Sequence, residues 1–143
     1  MYSLKLVIPC TLLILAAHRA SAQTSNLLSS DEAARNIGKT GTVCATVAQA
    51  RYLPSVTGQP TFLNCDGPYH SPSHDFTFVI LGNARQNYNP EPEKLRGCVC
   101  GVGSISIYQS LPQIQNPNPL YEARTPEEQA KCSKSKTRLL PAQ

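Results

Sequence analysis

The side chains best suited to metal or acid–base chemistry are concentrated in one short connector, from Asp66 to Asp75. It carries His70 and His74 between two carboxylates. Imidazole and carboxylate groups together can hold a transition metal. The alternative is that both loop histidines are solvated, and the sequence favours that interpretation. We therefore predict no metal site and no cofactor.

The cysteines provide a second kind of chemistry. The chain has six, and Cys10 lies in its apolar N-terminal segment. In an oxidising compartment, the other five predict two disulfides and one spare thiol. They are Cys44, Cys65, Cys98, Cys100 and Cys132. The Cys98-x-Cys100 spacing is narrower than that of usual zinc sites, so it does not change the metal prediction.

No catalytic constellation is apparent in the sequence. Patterns typical of serine hydrolases, zinc proteases and glycosidases do not occur. A staphylococcal-type nuclease needs acidic calcium ligands with arginines and a glutamate around the scissile phosphate. The candidates for such a set are scattered through connectors: Asp66, Asp75, Arg85 and Glu91. We expect no enzymatic activity, and a degenerate nuclease is the least favoured alternative.

Residues 1–22 are predicted to be a secretory signal peptide. Lys5 gives a positive start, Leu6–Ala17 is apolar, and Ala20-Ser21-Ala22 has the small-x-small form of a cleavage site. The apolar run is too short to span a bilayer. We expect a secreted or periplasmic protein that begins at Gln23 and has no membrane attachment.

Length and charge limit the remaining chain to one domain with a modest core. Without residues 1–22, 121 residues remain, and the loss of Lys5 and Arg19 leaves 11 basic against 9 acidic residues. The excess lies in the C-terminal tail at Lys131, Lys134, Lys136 and Arg138. A polyanion partner normally draws a basic stripe onto the domain itself, and the body of this chain shows no strong one.

Strand-like runs flank the histidine connector on both sides. Pro60–Cys65 and Phe76–Leu81 are rich in β-branched and aromatic residues, and the second run carries apolar groups on both faces. These two runs predict a hairpin with an elaborated tip inside a closed or covered sheet. Three more strands are predicted at Thr42–Tyr52, at the glycine-rich Gly97–Tyr108 and at Pro112–Gln115.

The connecting segments predict little regular structure. Ser29 and Glu32 form a capping box that predicts a helix over Ser30–Ile37, after a flexible lead over Gln23–Leu28. Residues 82–96 are predicted to be a connector with one helical turn around Ala84–Tyr88. Thr125 and the proline after it could begin a helix in the tail.

One helix and five short strands, with the first long and curved, match a small Greek-key barrel such as the OB-fold. Five segments add to this match: Thr42–Val47, Gly58–Asn64, Pro68-Tyr69, Phe76–Gly82 and Pro112–Ile114. In this order and with these gaps they resemble bacterial OB-fold domains that are usually described as nucleic-acid-binding. The resemblance covers residues 37–115, and Leu81 stands where family members often have an aromatic residue.

The resemblance implies an all-β protein with a five-stranded Greek-key OB-fold barrel and a short N-terminal helix. The barrel domain would span residues 23–121, followed by a basic, irregular or partly helical tail over 122–143. Family members often carry cysteines in the first and fourth strands, which implies a disulfide between Cys44 and Cys100. A second bridge could join any two of the others, and its connectivity is open.

The resemblance also implies a binding surface. OB barrels bind single strands by stacking bases on exposed aromatic rings while basic groups contact the phosphates. The candidates are Arg51, Tyr52, Phe62, Tyr69, Lys94, Arg96 and Tyr108. The alternative for Phe62 is a place in the core, and the alternative for Tyr52 and Tyr108 is to close the barrel ends with a hydrated hydroxyl.

We therefore expect an exported module that binds single-stranded nucleic acid or another extended polyanion without catalysis. The alternative is a structural or protein-interaction module on the same barrel, with another envelope or secreted protein as its partner. The fold alone does not decide between them.

Overall fold

The computed structural model describes residues 26–137, with side chains described as far as residue 133. The predicted signal peptide, the predicted start at Gln23 and Arg138 lie outside these residues. The described chain is mostly β and forms one seven-stranded sheet with a few short helices. The elements are β1 (Leu27–Ser29), α1 (Ser30–Ala33), β2 (Thr40–Tyr52), β3 (Thr61–Cys65), β4 (Phe76–Ile80), two 3₁₀ helices (Gly82–Asn87 and Pro92–Lys94), β5 (Cys98–Tyr108), β6 (Leu111–Gln115), β7 (Leu120–Glu122) and α2 (Pro126–Thr137).

The sheet returns on itself because β2 pairs with both β3 and β5, and β5 pairs with both β2 and β6. The first half of β2, Thr40–Thr46, is antiparallel to β5, and the second half, Val47–Tyr52, is antiparallel to β3. β3 is antiparallel to β4, β4 is parallel to β6, and β6 is antiparallel to β5. The pairings therefore form a cycle in the order β2-β3-β4-β6-β5-β2. A register shift between Val47 and Gln49 marks the change of partner in β2, where a bulge bends the strand.

All five predicted strands are present, within two residues of their predicted bounds. Two further strands were not predicted. β1 lies where a flexible lead was expected and is parallel to β2, while β7 crosses the predicted domain boundary at residue 121 and is antiparallel to β5. Each has only three residues, which is too few to show a hydrophobic period in the sequence.

The first helix is shorter than the sequence predicted. It begins as expected, because the Ser29 N–H donates to the Glu32 carboxylate at 2.8 Å. It ends at Ala33 instead of Ile37. The Asn36 side-chain amide donates to the Glu32 carbonyl at 2.8 Å, so it occupies an acceptor near the helix end.

The interior of the cycle is filled by one apolar cluster. Phe76 and Phe78 pack edge to face with ring centroids 4.9 Å apart. Glycines in β5 make room for this packing, because a Cβ at Gly101 would lie 2.5 Å from the Phe78 ring and a Cβ at Gly103 would lie 2.5 Å from Ile114 Cγ2. The glycine-rich sequence of β5 therefore accommodates large side chains from β4 and β6.

Two disulfides lie beside this cluster, where α2 packs on the sheet. Cys44 and Cys100, the pair that the family resemblance implied, are directly opposite in β2 and β5 and are bonded. Cys98 in β5 is bonded to Cys132 in α2. Cys65 is free, and burial raises the pKa of its thiol well above the usual value. Two intramolecular disulfides are compatible with an oxidising compartment.

The described residues include no helix that has both the length and the apolar character required to cross a bilayer.

The contact between Gly103 and Ile114 generates a prediction about packing. We expect Gly103→Ala to reduce the free energy of unfolding by about 1–3 kcal/mol, because the new methyl group would overlap Ile114 Cγ2. In an Ile114→Ala background, which lacks that atom, the same change should cost clearly less. A double-mutant cycle by urea unfolding measures the coupling, and strictly additive effects would contradict the proposed contact.

Candidate functional site

A groove of about 500 Å³ opens on the outer face of the sheet. Its floor comes from β3 and β4, and its walls come from the ends of β2 and β5, from β6 and from the 66–75 connector. A groove of this size accepts a ligand of drug or nucleotide dimensions. Among its lining residues are Arg51, Phe62, Asn64, Tyr69, Thr77 and Tyr108.

A row of hydrogen-bonding side chains crosses the sheet at this groove. Register places Gln49 opposite Asn64, Asn64 opposite Thr77, Thr77 opposite Gln113 and Gln113 opposite Ser106. Residues directly opposite one another project from the same face of a sheet. The row therefore runs over all five strands of the cycle, and Asn64, Thr77 and Gln113 supply its amide and hydroxyl groups to the groove.

Part of this polar row is held rigid by its own hydrogen bonds. Asn64 Nδ2 and the Tyr69 backbone N–H both donate to Gln49 Oε1, at 3.0 and 3.2 Å. Thr77 Oγ1 donates to Asn64 Oδ1 at 3.4 Å. The Tyr69 contact connects the floor to the 66–75 connector, so the wall of the groove is positioned by its floor.

His74 completes this network. Its side chain is buried, with Nε2 2.7 Å from Thr77 Oγ1. Within residues 26–137, no group of three or more His, Cys, Asp or Glu side chains is placed to hold a metal ion.

Aromatic rings stand exposed around the polar row. Tyr108 is 62% exposed and Tyr69 is 49% exposed, so both side chains are accessible to solvent. Tyr69 also contacts the His70 ring at 3.8 Å between centroids. Phe62 is only partly buried and lines the groove, so it is not confined to the core.

Arg51 is the basic side chain that remains available at this groove. Within residues 26–133, every other lysine and arginine contacts a carboxylate, a polar side chain, a backbone carbonyl or an aromatic ring. Arg51 makes no such contact and is exposed. The groove lining contains no carboxylate.

The structure brings four of the seven predicted binding residues into this groove: Arg51, Phe62, Tyr69 and Tyr108. Tyr52 is not among them, because adjacent residues of a strand point to opposite faces. Its ring instead carries the Arg85 guanidinium, 3.9 Å from the centroid. Lys94 pairs with Glu91 at 3.1 Å, and Arg96 bonds the backbone carbonyls of the preceding turn. Both precede β5, whereas the groove receives the other end of that strand.

Sequence reasoning did not identify the polar row. Alternation along each strand already places Asn64 on the same face as Phe62. It also places Thr77 on the other face of its strand from Phe76 and Phe78. However, apolar residues occur on both faces of β4, so alternation does not say which face is internal. The five members of the row also come from strands that are distant in the chain, and only their register aligns them.

Comparison with known proteins assigns no family. No protein-family model matches the chain, and no curated protein matches it. Among solved structures, a chain from Leishmania major Friedlin assigned as an aspartyl-tRNA synthetase aligns with a TM-score of 0.44 at 11% identity. The match covers 76% of this chain and 23% of that chain. At this TM-score the similarity carries no argument about fold or function.

The buried imidazole generates a prediction about pH. Burial lowers the pKa of His74 below its ordinary value, although a hydrogen bond to the Phe76 backbone and the charge of Asp75 act in the opposite direction. As pH falls, the unfolded chain therefore binds this proton first, and folding stability is lost below the unfolded value of about 6.5. Urea unfolding at pH about 7.5 and about 5.5 should show this loss in the wild type.

We expect His74→Gln to abolish most of that difference and the exposed neighbour substitution His70→Gln to preserve it. Glu32, Glu93 and Glu128 also have lowered carboxyl pKa values. These carboxyl groups affect stability at lower pH, so they do not contribute to the difference between pH about 7.5 and about 5.5. An unchanged pH dependence of stability in His74→Gln would contradict the lowered pKa of His74.

Proposed function

We propose that this protein is an exported, non-catalytic binding module of the OB-fold type, and that its groove holds single-stranded nucleic acid. The observation that carries the proposal is the grouping of Arg51 with the exposed rings of Tyr69 and Tyr108 around one groove. Stacking on aromatic rings with a cation at the backbone is the common mode by which proteins bind single strands.

The pairing order supports the OB-fold part of the proposal. An OB barrel is a five-stranded Greek-key barrel that binds ligands on its second and third strands, between the loops joining strands one to two and four to five. In this chain the corresponding strands are β3 and β4, which contribute Phe62, Asn64 and Thr77 to the groove. The corresponding loops contribute Leu53 and Gln109.

The groove has one available arginine and several aromatic rings, and this composition supports a short ligand with few phosphate contacts. One available arginine corresponds to about one neutralised phosphate, so salt dependence should be shallow for a nucleic-acid-binding protein. Most of the affinity must then come from stacking and from the polar row. No carboxylate faces the groove, which favours binding over the metal-assisted hydrolysis of a nuclease.

The second candidate function is a protein-interaction module, with another envelope or secreted protein as partner. The observation that favours it is the small number of available cations within residues 26–133: Lys131, which sequence reasoning counted as part of a basic excess, is paired with Glu32 at 2.7 Å. A groove with aromatic rings, amides and one arginine also suits an uncharged peptide.

Binding of fluorescently labelled single strands, measured by anisotropy at about 50 and 150 mM salt, separates these candidates. Saturable binding that weakens modestly with salt supports the first. No saturable binding at the lower salt concentration would refute it and favour the second.

The arginine provides the first variant. We expect Arg51→Gln to weaken binding to all sequences and to reduce the slope of log K against log salt by about 0.7, the value for one phosphate contact on a single strand. Lys94→Gln is the matched control, because Lys94 pairs with Glu91 away from the groove and should leave affinity and slope unchanged. Equal effects of the two changes would indicate a diffuse electrostatic attraction instead of a site.

The tyrosines provide the second variant. We expect Tyr108→Leu to cost about 1–3 kcal/mol of binding free energy, because a stacked base loses its aromatic partner. Tyr52→Leu is the control, since its ring lies outside the groove lining and already carries Arg85. Titrations with a short oligothymidine measure both, and a Tyr108→Leu protein with wild-type affinity would exclude stacking at that ring.

A further inference from the structure

The helix α2 is not docked by an apolar face. Its twelve residues, PEEQAKCSKSKT, include Ala130 and Cys132 as the only apolar side chains after the initial proline, and Ala130 is exposed. Amphipathic helices normally bind a domain through an apolar stripe of three or four residues per two turns. α2 has no such stripe, so its attachment must come from other contacts.

Within residues 126–133, whose side chains the structure describes, those contacts include one covalent bond and several polar interactions. Cys132 is bonded to Cys98, and Lys131 pairs with Glu32 at 2.7 Å. The hydroxyl of Tyr121 donates to Glu128 at 2.8 Å, and the side chain of Gln129 donates to the Ala123 carbonyl at 3.2 Å. Exposed polar contacts contribute little individually, and the partly buried Lys131–Glu32 pair is the exception among them. The disulfide is the covalent attachment of the helix to the sheet.

The two disulfides differ in their access to solvent. Cys44 and Cys100 are both fully buried. Cys98 is partly exposed, and its partner Cys132 is 4% exposed. All four bonded cysteines lie in one satellite cluster with Leu27 and Tyr121, and Cys98 is its partly exposed cysteine. A thiolate reagent that approaches from solvent therefore meets Cys98 before Cys44 or Cys100.

We propose that Cys98–Cys132 is a redox-modification site, reduced selectively in the folded protein by an exported dithiol, and that its reduction releases α2 from the sheet. A thiolate of the dithiol attacks Cys98 Sγ, and Cys132 leaves as a thiolate that takes a proton from water. The second thiol of the reagent then attacks the mixed disulfide and releases Cys98. The protein gains two electrons as two thiols, and the reagent becomes a disulfide.

Release should unfold the helix, because an isolated helix of 12 residues is at the lower limit of length for stability in water. It also separates Lys131 from Glu32, whose carboxyl pKa is lowered to about 2 chiefly by that contact. The groove should not change, since Arg51 lies seven residues along β2 from Cys44, about 20 Å in an extended strand. Reduction thus alters one end of the molecule and leaves the other intact.

Graded reduction of the folded, disulfide-bonded protein tests the proposal. The protein is treated with increasing dithiothreitol, alkylated and mapped by mass spectrometry, while hydrogen exchange follows the backbone amides of 127–137. We expect Cys98 and Cys132 to be alkylated at reductant concentrations that leave Cys44 and Cys100 bonded, with loss of protection in α2 and retained protection in β2 and β5. Simultaneous reduction of both disulfides, or an α2 that stays protected, would overturn it.

Two variants test the attachment of α2 without any reductant. The double substitution Cys98→Ser with Cys132→Ser should show the same loss of α2 protection without reductant. Lys131→Gln, which retains the disulfide, should leave α2 largely protected, and an equal loss in that variant would assign the attachment to the ion pair instead. These readouts require no ligand, so they stand or fail separately from the proposed binding of nucleic acid, which should be unchanged in the double variant.

Discussion

The pairing of β2 with β5 is the interaction on which the rest of the structure depends. Without it the seven strands would form an open sheet, and the groove would lack the wall that the end of β5 provides. The Cys44–Cys100 disulfide crosses this pairing at directly opposite residues and closes a 56-residue segment. A cross-link of that length restricts the unfolded chain enough to contribute on the order of 4 kcal/mol in the chain-entropy model.

The closed cycle separates an apolar interior from a polar outer row. Phe78 and Ile114 fill the inside against glycines of β5, while Thr77 and Gln113, their strand neighbours, face the groove. Hydrogen bonds connect Gln49, Asn64, Thr77 and His74 into one network. A satisfied network is rigid, and a rigid floor is the arrangement that a binding site needs to avoid ordering its side chains at each encounter.

Within residues 26–133, most of the positively charged side chains form intramolecular contacts. Arg85 makes a bidentate contact with Glu93 at 2.6 and 2.8 Å, donates to Thr61 and lies over Tyr52, so it attaches the connector after β4 to the sheet. Lys131 is committed to Glu32 in the same way. Arg51 differs from these residues because it lines a groove without a carboxylate and makes no such contact within the described part of the chain.

Local sequence patterns were sufficient for the elements themselves. Alternation and β-branched content located the five strands of the cycle, and the Ser29–Glu32 pair located the start of α1. The same patterns could not detect β1 or β7, because three-residue strands exist only through hydrogen bonds to β2 and β5. They also predicted α1 to be longer than it is. The Asn36 side-chain amide donates to the Glu32 carbonyl, and helix propensity does not describe such a contact.

The sequence by itself determined which residues alternate along each strand, which segments turn, and that five cysteines were available outside the N-terminal segment. Tertiary structure alone decided which alternating face is internal, that Arg51 and not Tyr52 enters the groove, and that Cys98 bonds Cys132. The physical reason is the same in each case. These outcomes depend on the register between segments tens of residues apart, and local backbone preferences carry no information about that register.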